Sequence, residues 1–331
     1  MKETFITIGG ATRDVSFFTD EGVLVKNPRD VIRQELLAFE YGAKIKVDRF
    51  NYSYGGGAAN AAVCLSNLGL KTACLATVGP DENGRMIIDN LRRGGVSTTL
   101  VKVKKGEMSS LSFILIAPAG ERIIFCNRGV SHKLNIDAHQ LSLLRQAKNI
   151  YLASLAGSWE REAKKIFSVV TDKGPRIFWN PGAAQYSGGL KKIAPFLKKT
   201  EVFALNKDEA IELVLSSDKY RTANNSFLNN TDNLLKIIKN FGPKIVVITL
   251  GAAGVKAYDG EKIYSHRILK EKKRVDTTGV GDAFNSSFAA GLVLYGGNID
   301  KALTLGLKNT ASKVAHLGAQ NGLIKLVGPK K

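Results

Sequence analysis

The segment that spans residues 275–284, VDTTGVGDAF, places threonine, glycine and aspartate residues at a spacing that suits the binding of an anion. Gly279 and Gly281 allow the backbone to turn so that successive N–H groups face a common point. An apolar, helix-like run begins at Asp282, and the N-terminus of such a helix adds the positive end of its dipole. The segment therefore predicts an anion pocket, with Asp282 as a simple helix N-cap as the alternative interpretation.

A carboxylate beside an anion pocket fits phosphoryl transfer from a nucleotide to a hydroxyl group. In that reaction the protein stabilises charge on the migrating phosphoryl oxygens and accepts the proton of the attacking hydroxyl. An aspartate of ordinary pKa, about 4, is sufficient as the base, because the loose transition state releases the proton late. We therefore predict that Asp282 accepts the proton while the neighbouring backbone amides hold the phosphoryl group.

The order of elements along the chain predicts a mainly parallel sheet with crossover helices, because β-rich runs alternate with helical patterns. The β-rich runs lie at 5–10, 73–79, 148–154, 176–182, 202–206 and 244–251. Helices are predicted to end before Gly69, Gly242 and Gly296, since glycine commonly follows the last helical turn. The polar segment 216–233 is predicted to be a surface loop.

Two regions, 16–52 and 100–129, carry strand patterns that do not follow this alternation. The clearest is a hairpin in the second region, with its turn predicted at 118–120. Strands inserted into an α/β scaffold commonly pack as a flap over a site, so we expect these regions to form a small lid. The whole chain, 1–331, is expected to fold as one domain.

The chain of 331 residues has a formal net charge of +19. Its lysines are scattered, and clusters such as 102–105 lack the interleaved aromatic residues that stack on bases, so no nucleic-acid partner is expected. No apolar run is long enough to span a bilayer and the start resembles no cleavable leader, so we expect a cytoplasmic protein without a membrane partner. The basic balance favours an acidic or phosphorylated substrate.

The segment 275–284 and a second segment, YGGGAANAAVCLSNLG at 54–69, together resemble the two signatures of the ribokinase-like, phosphofructokinase B-type carbohydrate kinases. The resemblance implies an α/β, ribokinase-like three-layer sandwich with a mainly parallel central sheet and a small β-sheet lid. It also implies ATP-dependent phosphoryl transfer to a sugar hydroxyl. By the same resemblance Asp282 is the base, and the backbone amides of Gly279, Val280 and Gly281 form the anion hole.

The resemblance also assigns residues to both substrates. Those implied for the acceptor are Asp14, Gly55, Gly56, Gly57 and Asn60. Those implied for the nucleotide are Asn206, Glu209, Thr249, Gly251 and Gly254. The spacing of Asn206 and Glu209 also fits a helix capping box, which needs no ligand.

The resemblance also implies two bound cations and a homodimer. Mg²⁺ is expected to accompany ATP and to be positioned indirectly by Glu209. A monovalent cation, K⁺, is expected to bind oxygen ligands of Asp276, Thr278 and Gly318. Because lid strands of relatives pair across a dimer, a homodimer formed through the lid is also expected.

The identity of the acceptor stays open at this point. Ribokinases carry a lysine inside the glycine segment and an acidic sugar ligand near 152–159, and this chain has neither, so ribose is not favoured. A hexose, another pentose, a sugar acid, a phosphosugar and a nucleoside are the alternatives, with a nucleoside kinase of the same fold as the second interpretation. A non-catalytic sugar-binding or nucleic-acid-binding protein belongs to a different class and would have no use for Asp282.

Overall fold

The computed structural model describes residues 4–27, 35–116, 122–271 and 273–326. Its strands are β1 Phe5–Ile8, β2 Thr12–Phe18, β3 Val23–Lys26, β4 Glu35–Ala38, β5 Arg49–Gly55, β6 Thr72–Leu75, β7 Thr77–Val78, β8 Lys102–Val103, β9 Ser110–Ile116, β10 Arg122–Asn127, β11 Asn149–Leu152, β12 Arg176–Trp179, β13 Val202–Asn206, β14 Ile245–Thr249, β15 Val255–Tyr258 and β16 Ile263–His266. Its α-helices are α1 Gly57–Asn67, α2 Glu82–Arg93, α3 Ala138–Gln146, α4 Trp159–Phe167, α5 Ala183–Tyr186, α6 Leu190–Leu197, α7 Lys207–Leu215, α8 Asn225–Asn229, α9 Thr231–Asn240, α10 Val280–Leu294 and α11 Ile299–Lys313.

The central sheet has eight strands in the order β16-β15-β14-β13-β12-β11-β1-β6. Six neighbouring strands of this sheet, β6, β1, β11, β12, β13 and β14, are parallel to one another. The strands β15 and β16 extend the sheet beyond β14 in antiparallel pairing. Successive strand residues face opposite sides, so Phe178 packs with the helices α1, α10 and α11 while Trp179 packs with α4, α6, α7 and α9. The predicted three-layer architecture is confirmed.

The sequence patterns located most of the central strands, and one local prediction is wrong. Each predicted β-rich run contains a strand of the central sheet. The segment 216–233 is not a continuous loop, because α8 lies within it and α9 begins at Thr231. The side chain of Asn224 accepts a hydrogen bond from the Phe227 N–H and caps α8, and Leu228 is buried. The asparagines that indicated a loop are therefore partly helix caps.

A separate four-stranded sheet has the order β10-β9-β2-β5 and forms the lid. Its strands extend beyond the predicted regions, since β2 begins at Thr12 and β5 ends at Gly55. β8 lies in the second predicted region but pairs with β7, and β3 and β4 pair with each other. The predicted hairpin turn at 118–120 lies outside the described residues.

The two faces of the lid differ in polarity and exposure. Asp14 is paired in register with Ser112 and Ser53, and all three are buried on one face. The neighbouring register row contains Val15, Tyr52, Phe113 and Phe125 and lies on the opposite face. The lid therefore carries a polar inner face and an apolar outer face.

A buried polar contact fixes the helices that cover one side of the central sheet. The Asn309 amide of α11 donates to Ser287 Oγ of α10 at 2.7 Å and contacts Cys64 Sγ of α1 at 3.2 Å. A satisfied buried polar cluster holds its members in one arrangement, because any shift would leave a polar group unpaired. The start of α1 and the start of α10 are thereby held in a fixed relation.

In the part of the chain that the structure describes, no helix is long and apolar enough to cross a membrane.

Candidate active site

The N-terminal turns of α1 and α10 meet above the sheet. The Asn60 amide nitrogen donates to Asp282 Oδ2 at 2.7 Å, although the two residues are 222 positions apart in the chain. A Cβ atom placed at Gly57 would lie 3.5 Å from Asp282 Oδ1 and 2.9 Å from the Cβ of Ala153, which follows β11. The two signatures that the sequence places far apart therefore form one site at the carboxyl end of β11.

A chain of amide hydrogen bonds leads from α2 to this carboxylate. Asn90 Nδ2 donates to Gln320 Oε1 at 2.7 Å, and Gln320 Nε2 donates to Asn60 Oδ1 at 3.0 Å. An ionised carboxylate only accepts hydrogen bonds, so the Asn60 side chain must direct its NH₂ group at Asp282 and its oxygen at Gln320. In the same way, Gln320 directs its NH₂ group at Asn60 and its oxygen at Asn90. Sequence reasoning missed Asn90 and Gln320, because single amides outside the two signatures carry no pattern.

The charge state of Asp282 is set by two opposing effects. The pKa of its carboxyl group lies above the ordinary value used in the sequence-based prediction, because burial raises it by more than the hydrogen bond from Asn60 lowers it. Burial disfavours the charged form, and a donor aimed at the carboxylate favours it. A carboxylate with this balance can serve as a base that returns its proton.

The predicted anion hole lies at the start of α10. Gly279 precedes the helix in the left-handed region, with φ of 74°, and a Cβ there would lie 2.5 Å from the Cβ of Ala319. The helix has no side-chain cap, so the N–H groups of its first turn are available to a ligand. The Val280 N–H points at the carbonyl oxygen of Thr277 at 3.3 Å, so it is less available than the prediction requires.

The glycine segment brings the backbone close to neighbouring groups. Gly56 has φ of 88°, and a Cβ there would lie 2.5 Å from the carbonyl oxygen of Gly10. A Cβ at Gly55 would lie 2.3 Å from Asp14 Oδ2, so this glycine makes room for the aspartate. Only glycine fits at both positions, in agreement with the predicted close approach of a ligand to the backbone.

Asp14 is buried on the inner face of the lid, with 5% of its surface exposed. Burial raises the pKa of its carboxyl group to about 6, a hydrogen bond from Ser112 lowers it, and the charge of Asp276 raises it. In the protein without a ligand, the surroundings of Asp14 therefore disfavour the ionised form of its carboxyl group. Such a group is typical of a binding site whose ligand supplies the missing partners.

A cavity of about 200 Å³ opens between the glycine segment and the lid. It is lined by Gly10, Gly57 and Ser154, and by Ser110 and Arg128 of the lid region. Arg128 is exposed and pairs with no carboxylate among the residues that the structure describes. The cavity is therefore lined by a cation that no described carboxylate neutralises.

Basic residues also surround a neighbouring cavity of about 410 Å³. Lys133 contacts Glu107 there at 2.5 Å, and Arg161 contacts Glu162 at 2.7 Å. Both cations are thus already paired with carboxylates. Arg128 differs from them in this respect.

The residues implied for the nucleotide lie at the carboxyl ends of β13 and β14. Asn206 and Thr249 are paired in register, and Gly251 and Gly254 lie in the turn that follows. Asn206 and Glu209 form the capping box that the sequence allowed, with reciprocal hydrogen bonds of 2.9 Å. The structure thus brings these residues together and gives two of them a structural role in α7.

The three residues implied for K⁺ also come together. Asp276 Oδ1 accepts from the Thr278 N–H and Asp276 Oδ2 from the Gly318 N–H, each at 2.8 Å. Lys313, which the sequence analysis did not single out, donates to the Asp276 carbonyl oxygen at 2.8 Å. Among the described residues, no cluster of three or more His, Cys, Asp or Glu side chains is present.

Comparisons with known proteins agree on family and fold. A model described as pfkB family carbohydrate kinase matches residues 26–326. An "uncharacterized sugar kinase" of Archaeoglobus fulgidus is 30% identical over 263 residues, which cover 80% of this chain and 99% of the relative. The ATP-dependent 6-phosphofructokinase of Thermoanaerobacterium thermosaccharolyticum is 24% identical over 297 residues, 86% of each protein. The structure of Arabidopsis thaliana ribokinase complexed with ribose and ATP matches with a TM-score of 0.80 at 19% identity, covering 98% of this chain and 96% of that chain.

The burial of Asp14 generates a prediction about stability. Its pKa is raised in the folded protein, so the folded state binds the proton more tightly and loses stability as the pH rises from 3.8 to about 6. We expect Asp14→Asn to raise the free energy of unfolding at pH 7 by about 2–3 kcal/mol and to have little effect near pH 4. Urea unfolding at the two pH values measures the difference. The exposed Asp20→Asn is the control, and an equal effect of Asp14→Asn at both pH values would contradict the assignment.

Proposed function

Since the chain belongs to the pfkB family of carbohydrate kinases, which makes it an ATP-dependent kinase, we propose that it phosphorylates a hydroxyl group of a sugar or sugar derivative with Asp282 as the base. The observation that carries this proposal is the meeting of Asp282 with Asn60 and Gly57 at the start of α10. This site combines three features: a base, a backbone that leaves room for a polyol, and a helix N-terminus that attracts phosphate.

In the proposed reaction the acceptor hydroxyl lies against Gly57 and gives its proton to the Asp282 carboxylate. The acceptor oxygen forms a bond to the terminal phosphorus of ATP, and the bond between that phosphorus and the bridging oxygen breaks, so that ADP leaves. The backbone amides of Gly279, Gly281 and Asp282 stabilise the negative charge of the transferred group, with Val280 in a smaller part. Asn60 holds the carboxylate in place, and Asp14 binds further hydroxyls of the acceptor.

On the nucleotide side, Asn206, Glu209, Thr249, Gly251 and Gly254 are proposed to contact ATP. Glu209 Oε2 accepts from the Asn206 N–H, and Glu209 Oε1 makes no hydrogen bond within the described residues. A single carboxylate of this kind fits Mg²⁺, which is usually held by one or two carboxylates, substrate phosphates and water. When bound with ATP, Mg²⁺ would offset the charge of the phosphates.

Replacement of the proposed base tests the mechanism. Asp282→Asn keeps the shape of the side chain and removes its ability to take up a proton, so we expect the transfer rate to fall by about 10²–10⁴-fold. Binding of the acceptor, measured by calorimetry, is expected to persist. Asp208→Asn, on the exposed surface of α7, is the control. Turnover at the wild-type rate in Asp282→Asn would remove Asp282 from the mechanism.

The acceptor cavity favours a small anionic sugar derivative. Its volume of about 200 Å³ lies below the roughly 300–1,000 Å³ of sites for drug-sized ligands, which favours a monosaccharide over a nucleoside. Arg128 lines the cavity and pairs with no described carboxylate, so it can bind a phosphate or carboxylate group of the acceptor. The relative named ATP-dependent 6-phosphofructokinase acts on such a phosphorylated sugar, and its similarity supports the proposal.

Matched sugar pairs test this acceptor class. We expect fructose 6-phosphate and ribose 1-phosphate to exceed fructose and ribose in kcat/KM by about ten-fold or more, since a hydrogen bond to a charged group contributes about 1.5–3 kcal/mol. Arg128→Met should abolish the preference, while Lys133→Met should keep it because Lys133 already pairs with Glu107. Equal kcat/KM values for the neutral and anionic members, unchanged by Arg128→Met, would exclude this role.

The outer face of the lid supports the expected homodimer. Phe113 and Phe125, which belong to one register row, expose 43% and 56% of their surfaces, and Phe50 nearby exposes 63%. A contiguous exposed aromatic patch is typical of a protein–protein interface. We propose that a second copy of the chain covers this patch, so that two lids pack face to face.

Mass measurement in solution tests the assembly. Sedimentation or light scattering is expected to give twice the mass of one chain, and Phe113→Asp should shift the protein to the single-chain mass by placing a charge in the interface. Ile124→Asp is the control, because Ile124 is also exposed but lies on the opposite face of the lid. A single-chain mass for the unchanged protein at the same concentration would rule out the dimer.

A further inference from the structure

Lys313 is the last residue of α11, and its side chain is completely buried, with 0% exposed. Its ammonium nitrogen lies 2.8 Å from the carbonyl oxygen of Asp276 and 3.8 Å from Asp276 Oδ2. We infer that this ammonium group takes the place in which a K⁺ ion was expected, so that the protein carries its own monovalent cation and functions without K⁺.

The groups around Asp276 do not fit a bound K⁺ ion. Such an ion needs several oxygen ligands directed at one point. The backbone N–H groups of Thr278 and Gly318 donate to the two oxygens of the Asp276 carboxylate at 2.8 Å each, so both of these oxygens already accept a hydrogen bond. The carbonyl oxygen of Asp276 accepts the Lys313 ammonium. A K⁺ ion at this point would also lie next to a buried like charge, which is costly.

The environment of Lys313 is suited to a charged amine. A buried ammonium group is stable only where partners replace its hydration, and a carboxylate and a carbonyl oxygen of the same residue do so here. The two side chains therefore form an ion pair, with the ammonium nitrogen 3.8 Å from Asp276 Oδ2.

The position of this cation explains what it does. Asp276 binds the Thr278 N–H, and Thr278 directly precedes Gly279, where the proposed anion hole begins. The N–H groups of Val275 and Asp276 approach the carbonyl oxygen of Val314 at 2.7 and 3.2 Å, next to Lys313. Lys313 is thus a positioning residue, because it fixes the loop that carries the anion hole without reaching the substrates.

The first experiment measures cation dependence of activity, and it rests on the proposed kinase function. ADP release is followed in choline, Na⁺ and K⁺ chlorides at equal ionic strength. We expect wild-type kcat and KM to agree within about two-fold in all three salts, because the tethered ammonium is always present. In Lys313→Met we expect kcat in choline to fall by about ten-fold or more and to recover with saturable K⁺ addition, as the ion fills the vacated place. A saturable activation of the wild type by K⁺ would overturn the inference.

The second experiment needs no activity and separates a failure of this inference from a failure of the proposed function. Thermal unfolding is recorded in the same salts. We expect the wild-type Tm to be the same in K⁺ and choline, and the Tm of Lys313→Met to rise by about 2–4 °C in K⁺. Lys313→Gln, which keeps a polar group, provides the same measurement if Lys313→Met does not fold. A K⁺-specific rise in wild-type Tm, or a folded variant that does not respond to K⁺, would contradict the inference.

The control variant is Lys308→Met, which lies on the exposed side of the same helix. It removes an equal charge and is expected to leave the salt dependence of both measurements unchanged. A response of Lys308→Met equal to that of Lys313→Met would mean that net charge, and not the place of the ammonium, is responsible, and the inference would be wrong.

Discussion

The hydrogen bond between Asn60 and Asp282 is the interaction on which the rest of the site depends. It joins the first turns of two helices that are far apart in the chain, and the buried contact among Cys64, Ser287 and Asn309 holds those helices beneath it. The glycines at the start of both helices leave space where side chains would otherwise stand. The proposed chemistry follows from this convergence, because the proposed base and the start of α10 then lie beside Gly57, which lines the proposed acceptor cavity.

Several groups around the site are held in states that cost stability. Asp14 is a buried carboxyl group with a pKa of about 6, and Lys313 is a completely buried amine. Proteins retain such groups where function requires them, and other packing offsets their cost. A sheet of eight strands with helices on both faces supplies that packing here.

The sequence contains much of this information, but not all of it. The central strands and the helix ends were predictable, because alternation and glycine placement are local patterns. Asn90, Gln320 and Lys313 were not, since each is a single polar residue whose role arises only when distant segments meet. The helix α8 was missed because asparagines that cap helices also indicate loops. The antiparallel edge β15–β16 was missed because short, half-exposed strands carry a weak pattern.

The most direct test of the central contact is the pH dependence of kcat/KM in Asn60→Asp. This change keeps the side-chain shape but places a second carboxylate within hydrogen-bonding distance of Asp282, so the pair must share a proton. Asp282 would then be protonated at pH values where the wild type is ionised, and we predict that the acid limb of the profile moves by about one pH unit or more to higher pH. An acid limb at the wild-type position, with the variant folded and active, would contradict the account.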